Sequence, residues 1–407
     1  MASAGGGSVS SEVPVLYDVA VIGGGPVGSS VAGQLAAAGY RVVVLEKHAG
    51  SGEKVSCTGI IGWPYLCSLG IGDDVLRRRL NGARLFSPSG KELRLWRPEP
   101  QAGVVDRAAF DREMVRRAGE KGAEYRWGVR ATGVVVGDDR VEVTGGDGGE
   151  KVAARVVVVA NGFSPALTSR LGLGRVGDFV AGAQVEVGGV TVDETEVYLG
   201  REVAPGFFGW LVPTLPGRAL VGLLSRRHPG RYLLGLVSSL ASRGKIAFAG
   251  EPLKYGGIPL KPLAQTYRER LLVVGDAAGQ VKPTTGGGIY YGLLCADIAV
   301  GTLQEALAAD DLSARRLSRY QRAWRRRLGR ELRTGYWARR LYERLSDRQI
   351  DQLFDIISSQ GVDRAILEAA DLSFDWHGEV IWRLVKYGAI ARVAGVVKAP
   401  FARRGMG

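Results

Sequence analysis

Asp276 follows Gly275 and stands ten residues before the triplet Gly286-Gly287-Gly288, within the run GDAAGQVKPTTGGGIYYGL at 275–293. An acid there can accept hydrogen bonds from sugar-like hydroxyls. Backbone N–H groups opening a helix after the glycines can receive a carbonyl or anionic edge. About 250 residues earlier, Gly23-Gly24-Gly25-Pro26-Val27-Gly28 is a strict GxGxxG, and Glu46 lies 18 residues past Gly28. Such glycines allow a tight turn and close approach of a pyrophosphate, and the acid suits a ribose hydroxyl. Paired, the two signatures point to a flavin enzyme.

The elements that must hold these residues are legible around them. An apolar strand at 17–22 precedes the first signature, a small-residue helix at 29–38 follows it, and a strand at 41–45 ends on Glu46. The run 271–274 reads as a buried parallel strand, and 289–307 as a helix. A further strand at 151–159 runs into the tight turn Ala160-Asn161-Gly162. Asp106 to Asp111 heads a helix at 110–121, from which Arg107 can reach a phosphate or flavin edge. Residues 178–224 alternate in β fashion and read as a separate sheet laid over the cofactor. The expected fold class is mixed α/β (α+β), with a doubly wound, Rossmann-type FAD-binding domain, an antiparallel β-sheet substrate cap and a C-terminal helical region. The cofactor domain is expected to be discontinuous, at 15–75, 104–175 and 262–310. The cap is placed at 76–103 and 176–261, a flexible tail at 1–14 and the basic helical region at 311–407.

Composition narrows the partners. The 407 residues are 46% hydrophobic and 23% charged, as in an ordinary soluble globular protein of two or three domains. Cys57, Cys67 and Cys295 are too few for a disulfide framework or an unaided four-cysteine iron–sulfur cluster, which fits a reducing cytosol. His48, His228 and His377 show no metal-ligand spacing, so no metal is expected. The first residues have no basic and apolar signal-peptide pattern, and no stretch reaches 18 uncharged apolar residues. The net charge of +13 is concentrated, with thirteen arginines against three acids between Leu312 and Arg348. Leu317, Tyr320, Trp324, Leu328 and Leu332 recur there at helical spacing, so the segment is an arginine-faced helix. That face is either simply solvated or drawn to an anionic membrane surface, a diphosphate-bearing substrate or nucleic acid. No recognised nucleic-acid-binding fold accompanies it, so no nucleic acid is expected. The stretch from Val380 to Arg404, mixing Trp382 and Ile390 with Arg383, Lys386 and Arg392, reads as a membrane-surface contact. The expected location is cytoplasmic and peripherally membrane-associated.

With these motifs in order, the chain resembles the geranylgeranyl reductase family of FAD-dependent enzymes over roughly residues 15–310. The resemblance rests on GGGPVG at 23–28, Glu46-Lys47, Cys57-Thr58-Gly59 and Asp106 to Asp111. It continues through Gly209-Trp210-Leu211-Val212-Pro213 and the PxTGGGI within 275–289. It implies FAD contacts from Gly23, Gly25, Val27, Gly28, Glu46, Lys47, Cys57, Thr58, Arg107, Ala131, Asp276, Gly287, Gly288 and Ile289. It implies a fold like that of aromatic hydroxylases. The family's Tyr-x-Trp-x-Phe-Pro pattern is altered here to Phe208-Gly209-Trp210-Leu211-Val212-Pro213, and Asn161 stands where an aspartate is usual.

The reaction implied is saturation of isolated double bonds in a polyprenyl chain. Such an alkene has no carbonyl to take electron density, so a proton must arrive with or before the hydride, leaving positive charge on a tertiary carbon. A dry site rich in π faces suits that charge, at ~1–2 kcal/mol per desolvated ring. Phe207, Phe208, Trp210 and Val212 are therefore expected to line the substrate site. Phe208 and Trp210 are expected to assist catalysis, with Cys57 or a water relayed by it as proton donor. Geranylgeranyl diphosphate, a geranylgeranylated ether lipid and the side chain of menaquinone are all compatible substrates. NADPH or a ferredoxin-like carrier is the expected electron donor. An FAD-dependent monooxygenase of an apolar or aromatic substrate is the alternative.

Overall fold

The computed structural model describes residues 16–53, 56–146, 149–247, 250, 252–359, 367, 374–378 and 381. The N-terminal tail, and the basic stretch from Val380 onward apart from Ile381, lie outside the described residues.

In chain order, β1 (Leu16–Ile22) leads into α1 (Pro26–Ala37) and β2 (Val42–Glu46), followed by β3 (Ile60–Gly62) and the short α2 (Trp63–Ser68). Four strands come next, β4 (Leu76–Leu80), β5 (Gly82–Phe86), β6 (Glu92–Trp96) and β7 (Ala102–Val105), then α3 (Arg107–Glu120). The chain continues through β8 (Glu124–Trp127), β9 (Ala131–Val136), β10 (Val141–Gly145), β11 (Glu150–Val159) and α4 (Pro165–Arg170). Next come β12 (Phe179–Val187), β13 (Thr195–Leu199), β14 (Phe208–Pro213), β15 (Ala219–Ser225), α5 (Pro229–Ser242) and β16 (Lys254–Pro259). Strands β17 (Tyr267–Arg268) and β18 (Leu271–Val273) precede the helices α6 (Ile289–Ala308), α7 (Ala314–Tyr342) and α8 (Asp347–Ser359).

The first sheet runs β17-β18-β11-β1-β2-β8, parallel except at β17, with β9 and β10 folded off β11 as an antiparallel meander. Its central strands β1, β2, β11 and β18 are buried on both faces, which is why they read as apolar runs. Val19, Val21, Val42, Val44, Val156 and Val158 pack toward α1, α6 and α7. Their alternates, Ala20, Ile22, Val43, Val157 and Val159, pack toward the meander and α4. The apolar stripe of α7, Leu317, Tyr320, Trp324, Leu328 and Leu332, belongs to the helical side of this core.

The cap is a seven-stranded sheet, β16-β12-β15-β14-β13-β5-β6, antiparallel except where β13 meets β5. A third sheet, β3-β7-β4, is interleaved with the cap in sequence, β5 and β6 falling between β4 and β7, and β4 pairs with β7 rather than with the cap strands. Two helices start earlier than their sequence patterns suggest. Pro26 takes the first turn of α1, where its missing N–H costs nothing. Asp106 caps α3 by accepting from Ala108 N at 2.9 Å and Ala109 N at 3.2 Å, worth about 1 kcal/mol.

Candidate active site

Three chain segments converge where the parallel strands end. Behind β1, a Cβ on Gly28 would fall inside the carbonyl oxygen of Gly23, so α1 can approach the turn this closely only with glycine there. Gly25 differs, since a Cβ on it would meet nothing within 4 Å. The open space over Gly25, at the N-terminus of α1, is the cradle that a pyrophosphate fills. Glu46 closes the turn from the end of β2, accepting from Gly24 N at 2.8 Å and His48 N at 3.0 Å. Val129 N donates to Glu46 O at 2.9 Å, which brings the chain leading to Ala131 alongside that strand end. Lys47 is exposed beside it.

The second signature touches the first through Val27. A Cβ on Gly275 would lie 3.2 Å from the Val27 side chain, and one on Gly292 would lie 2.6 Å from it. Asp276 sits in the turn after β18, and its carboxylate has no hydrogen-bond partner among the described residues. Burial pushes its carboxyl up, and Arg107 pulls it back down. A Cβ on Gly288 would collide with the Asp276 carboxylate, so the glycine triplet and this acid form one surface. The turn is braced from behind: Gly275 N donates to Gln280 Oε1 at 2.8 Å, and Gln280 Nε2 donates to Tyr320 OH at 2.8 Å. Tyr320, on the arginine-rich helix, donates in turn to Val273 O at 3.0 Å. Helix α7 therefore supports the site as well as carrying charge.

Cys57, Thr58 and Arg107 arrive at the same place. Gly59 N donates to Cys57 Sγ at 3.4 Å, and Thr58 Oγ1 donates to Gln184 Oε1 at 2.6 Å, linking this loop to β12 of the cap. Arg107 forms a bidentate pair with Asp111, its Nη2 lying 2.9 Å and 3.1 Å from the two carboxylate oxygens. It also faces Cys57 and Asp276 electrostatically. Gly287 and Ile289 flank Gly288 at the start of α6.

On the cap, Phe208, Trp210 and Val212 share one face of β14, because side chains alternate along a strand. Gly209 and Leu211 face the other way, toward α5 and the cap core. Val212 packs with Leu80, Ala102 and Val104, and Ile60, Trp210 and Phe374 pack against the same patch. Trp210 is held across from Gly222, where even a Cβ would lie 2.6 Å from the indole Cε2. Its Nε1 is buried with no partner among the described residues, one bare donor on a wall whose other side chains are apolar. Phe207 is the correction. It is 1% exposed, inside the cap core, with the Arg339 guanidinium 3.4 Å above its ring, so the structure does not bring it to the wall. Arg339 is itself buried, one arginine of α7 that presents no charge to solvent.

Sequence reasoning missed the support beneath the flavin-facing loop. Lys282 in that loop pairs with Asp375, and His377 bonds Thr284 with Nδ1 at 2.5 Å and Phe374 O with Nε2 at 2.9 Å. A carbonyl can only accept, so Nε2 carries the proton and Nδ1 accepts from Thr284. Burial, aided by nearby Lys282, pushes the His377 pKa down to about 3. The unfolded chain therefore takes up this proton near pH 6.5, well before the folded one does. The stability due to neutral His377 is present above pH 6.5 and drains away as pH falls toward 3. Thermal unfolding should show a loss of about 2 kcal/mol between pH 7 and pH 5, flattened in His377→Gln. Equal pH slopes in the two proteins would place the acid sensitivity elsewhere.

A GxGxxG turn closed by an acid, a second grip ending in a bare carboxylate, and an apolar cap wall define an FAD-dependent oxidoreductase. A family model described as "Lycopene cyclase protein" matches residues 18–197, which takes in the first grip but stops short of β14 and of residues 275–289. The digeranylgeranylglycerophospholipid reductase 2 of Methanopyrus kandleri is 33% identical over 370 residues, covering 86% of this chain and 92% of the relative. A solved structure described as geranylgeranyl bacteriochlorophyll reductase-like, from Thermoplasma acidophilum, superposes with a TM-score of 0.82 at 25% identity, covering 93% and 98% of the two chains. Halogenase PltM, solved with phloroglucinol and FAD, shares the fold at a TM-score of 0.66 and 14% identity, over 93% of this chain and 85% of its own. The chain belongs to the geranylgeranyl reductase family of FAD-dependent oxidoreductases.

Proposed function

We propose that this protein saturates isolated double bonds in the geranylgeranyl chains of a glycerophospholipid, the substrate class for which its Methanopyrus relative is named. The observation that carries this reading is the apolar wall of Phe208, Trp210 and Val212 on one face of β14, joined by Ile60, which follows the Cys57-Thr58-Gly59 loop, and by Phe374, which touches Lys282 of the second grip. Bound and reduced, FAD supplies the hydride. Gly23, Gly25, Gly28 and the Glu46 carboxylate hold its pyrophosphate and ribose, with Val27, Lys47 and Ala131 beside them. Asp276, Arg107, Thr58 and Gly287 to Ile289 hold its other end. Phe208 and Trp210 offer ring faces to positive charge on the alkene, and their dry surroundings keep water from quenching it. Cys57, beside Arg107, delivers the proton directly or through one water. NADPH or a ferredoxin-like carrier reloads the flavin.

The lipid is met at an anionic membrane surface on the cytoplasmic side. Arg315, Arg322, Arg326, Arg330 and Arg333 are exposed, and of these Arg315 alone lies near a carboxylate, that of Asp311, among the described residues. Their spacing puts them on one side of α7, along a stripe of about 27 Å. No helix among the described residues is long and apolar enough to cross a membrane.

The test is to offer the anaerobically reduced protein digeranylgeranylglycerophospholipid in anionic vesicles, geranylgeranyl diphosphate, and menaquinone. The lipid should be hydrogenated fastest. Replacing Arg322, Arg326 and Arg330 with glutamine should weaken vesicle binding by about 100-fold, at ~1 kcal/mol per arginine, and leave detergent-dispersed lipid unaffected. Preference for the diphosphate or the quinone would overturn the substrate assignment.

A further inference from the structure

The loop between the two halves of the second grip is closed on itself: Lys282 N donates to Gly287 O at 3.0 Å and Gly286 N to Lys282 O at 2.8 Å. It is also held from outside by a five-residue segment near the C-terminus, Phe374 to Gly378. Lys282 Nζ lies 2.8 Å from Asp375 Oδ1, and the two side chains are 4% and 6% exposed. The Lys282 stem presses on Gly287, where a Cβ would lie 2.7 Å from Lys282 Cε. The same Asp375 carboxylate sits where a Cβ on Gly62 would go, at the end of β3. Its backbone oxygen accepts from Tyr291 OH at 3.1 Å, in the first turn of α6. His377 adds the bond to Thr284, and Glu331 of α7 anchors the segment by accepting from His377 N at 2.6 Å and Gly378 N at 2.9 Å.

One residue of this segment reaches the substrate wall. Phe374 packs against the patch of Leu80, Ala102, Val104 and Val212 that Trp210 also covers, and Lys282 Nζ lies 4.6 Å from its ring centroid. A buried lysine and aspartate are costly to seal from water, and such a pair is weak evidence of stability for its own sake. Here it ties the flavin-facing loop, β3, α6 and an aromatic of the wall to one point.

We propose that residues 374–378 are a clasp that completes the active site. Asp375, acting through Lys282, is a positioning residue that holds the 282–288 loop in its FAD-binding shape. Phe374 is a specificity residue that sets the fit of the polyprenyl chain against the wall. The second half rests on the polyprenyl reading, whereas the first depends only on FAD binding.

The experiment uses the full-length chain and four proteins: wild type, Asp375→Ala, the double variant Lys282→Met/Asp375→Leu, and Phe374→Ala. FAD affinity is read from quenching of flavin fluorescence on titration with apoprotein, alongside the unfolding temperature of the apoprotein and kcat and KM on detergent-dispersed lipid. Asp375→Ala should weaken FAD binding at least tenfold. The double variant fills the same volume with apolar groups and so keeps the apoprotein folded if the single variant is not. It should unfold near the wild-type temperature yet stay at least tenfold weaker for FAD. Phe374→Ala should bind FAD within twofold of wild type while its KM rises at least fivefold with kcat little changed. A folded double variant with wild-type FAD affinity would reduce the clasp to a structural plug. An unchanged KM in Phe374→Ala would remove that ring from the wall. If wild type reduced no polyprenyl lipid while the Asp375 variants still lost FAD, the substrate reading would fail and the clasp would stand.

Discussion

Gly25→Val yields a folded protein that has lost its flavin. Gly25 has φ −72° and ψ 179°, an extended conformation open to any residue, and a Cβ there touches nothing in the chain within 4 Å. The fold therefore tolerates the change, and the apoprotein should unfold within about 2 °C of wild type. The space that valine takes is the space over the α1 N-terminus where a pyrophosphate must lie against the backbone. FAD binding should weaken by at least about 100-fold, ~3 kcal/mol, in a titration of the apoprotein. Gly28→Val is the informative contrast, because its side chain would overlap the Gly23 carbonyl. It should lose fold and flavin together. Normal FAD affinity in Gly25→Val would take the cofactor off this turn.

Trp210→Ala should keep the flavin and lose the chemistry. Its ring is wedged across from Gly222 beside Phe208, and the indole is the largest ring face the wall offers. If the indole stabilises positive charge developing on the alkene, its removal costs ~1.4–2 kcal/mol of the barrier, a fall of about 10- to 30-fold in kcat. Trp210→Phe should recover most of the rate, since a smaller ring still offers a face. FAD affinity should stay within about twofold, because no cofactor grip includes this side chain. Equal rates for the alanine and phenylalanine variants would reduce Trp210 to packing.

What could be read from the chain depended on how local each pattern is. The GxGxxG turn, Glu46 and the run at 275–289 are contiguous words, and the structure brings them together through Val27 on Gly275 and Gly292. The apolar stripe of α7 was equally visible, because 3.6-residue periodicity survives any tertiary setting. The wall was partly legible. Period-two alternation separates Phe208, Trp210 and Val212 from their neighbours, and Phe207 stands out of step with them. Phe207 adjoins the wall aromatics in sequence but takes the opposite side of the sheet, inside the cap core. The burial of Arg339 against Phe207 had no local sign, since an arginine in an arginine-rich helix looks solvated. Lys282 and Asp375 lie 93 residues apart, and neither stands in a motif that names the other. Their segments meet through tertiary contacts alone, from Glu331 of α7, Tyr291 of α6 and Thr284.

The central claim is that electrons leave this protein's FAD for an isolated double bond. The direct measurement is redox stoichiometry without oxygen. The purified holoenzyme is reduced with dithionite, freed of excess reductant and mixed anaerobically with digeranylgeranylglycerophospholipid. Flavin absorbance and lipid mass are then followed together. The structure predicts one flavin re-oxidised for each double bond lost, with a gain of two hydrogens in the lipid. Lipid recovered unchanged, with flavin that re-oxidises only when oxygen is admitted, would contradict it.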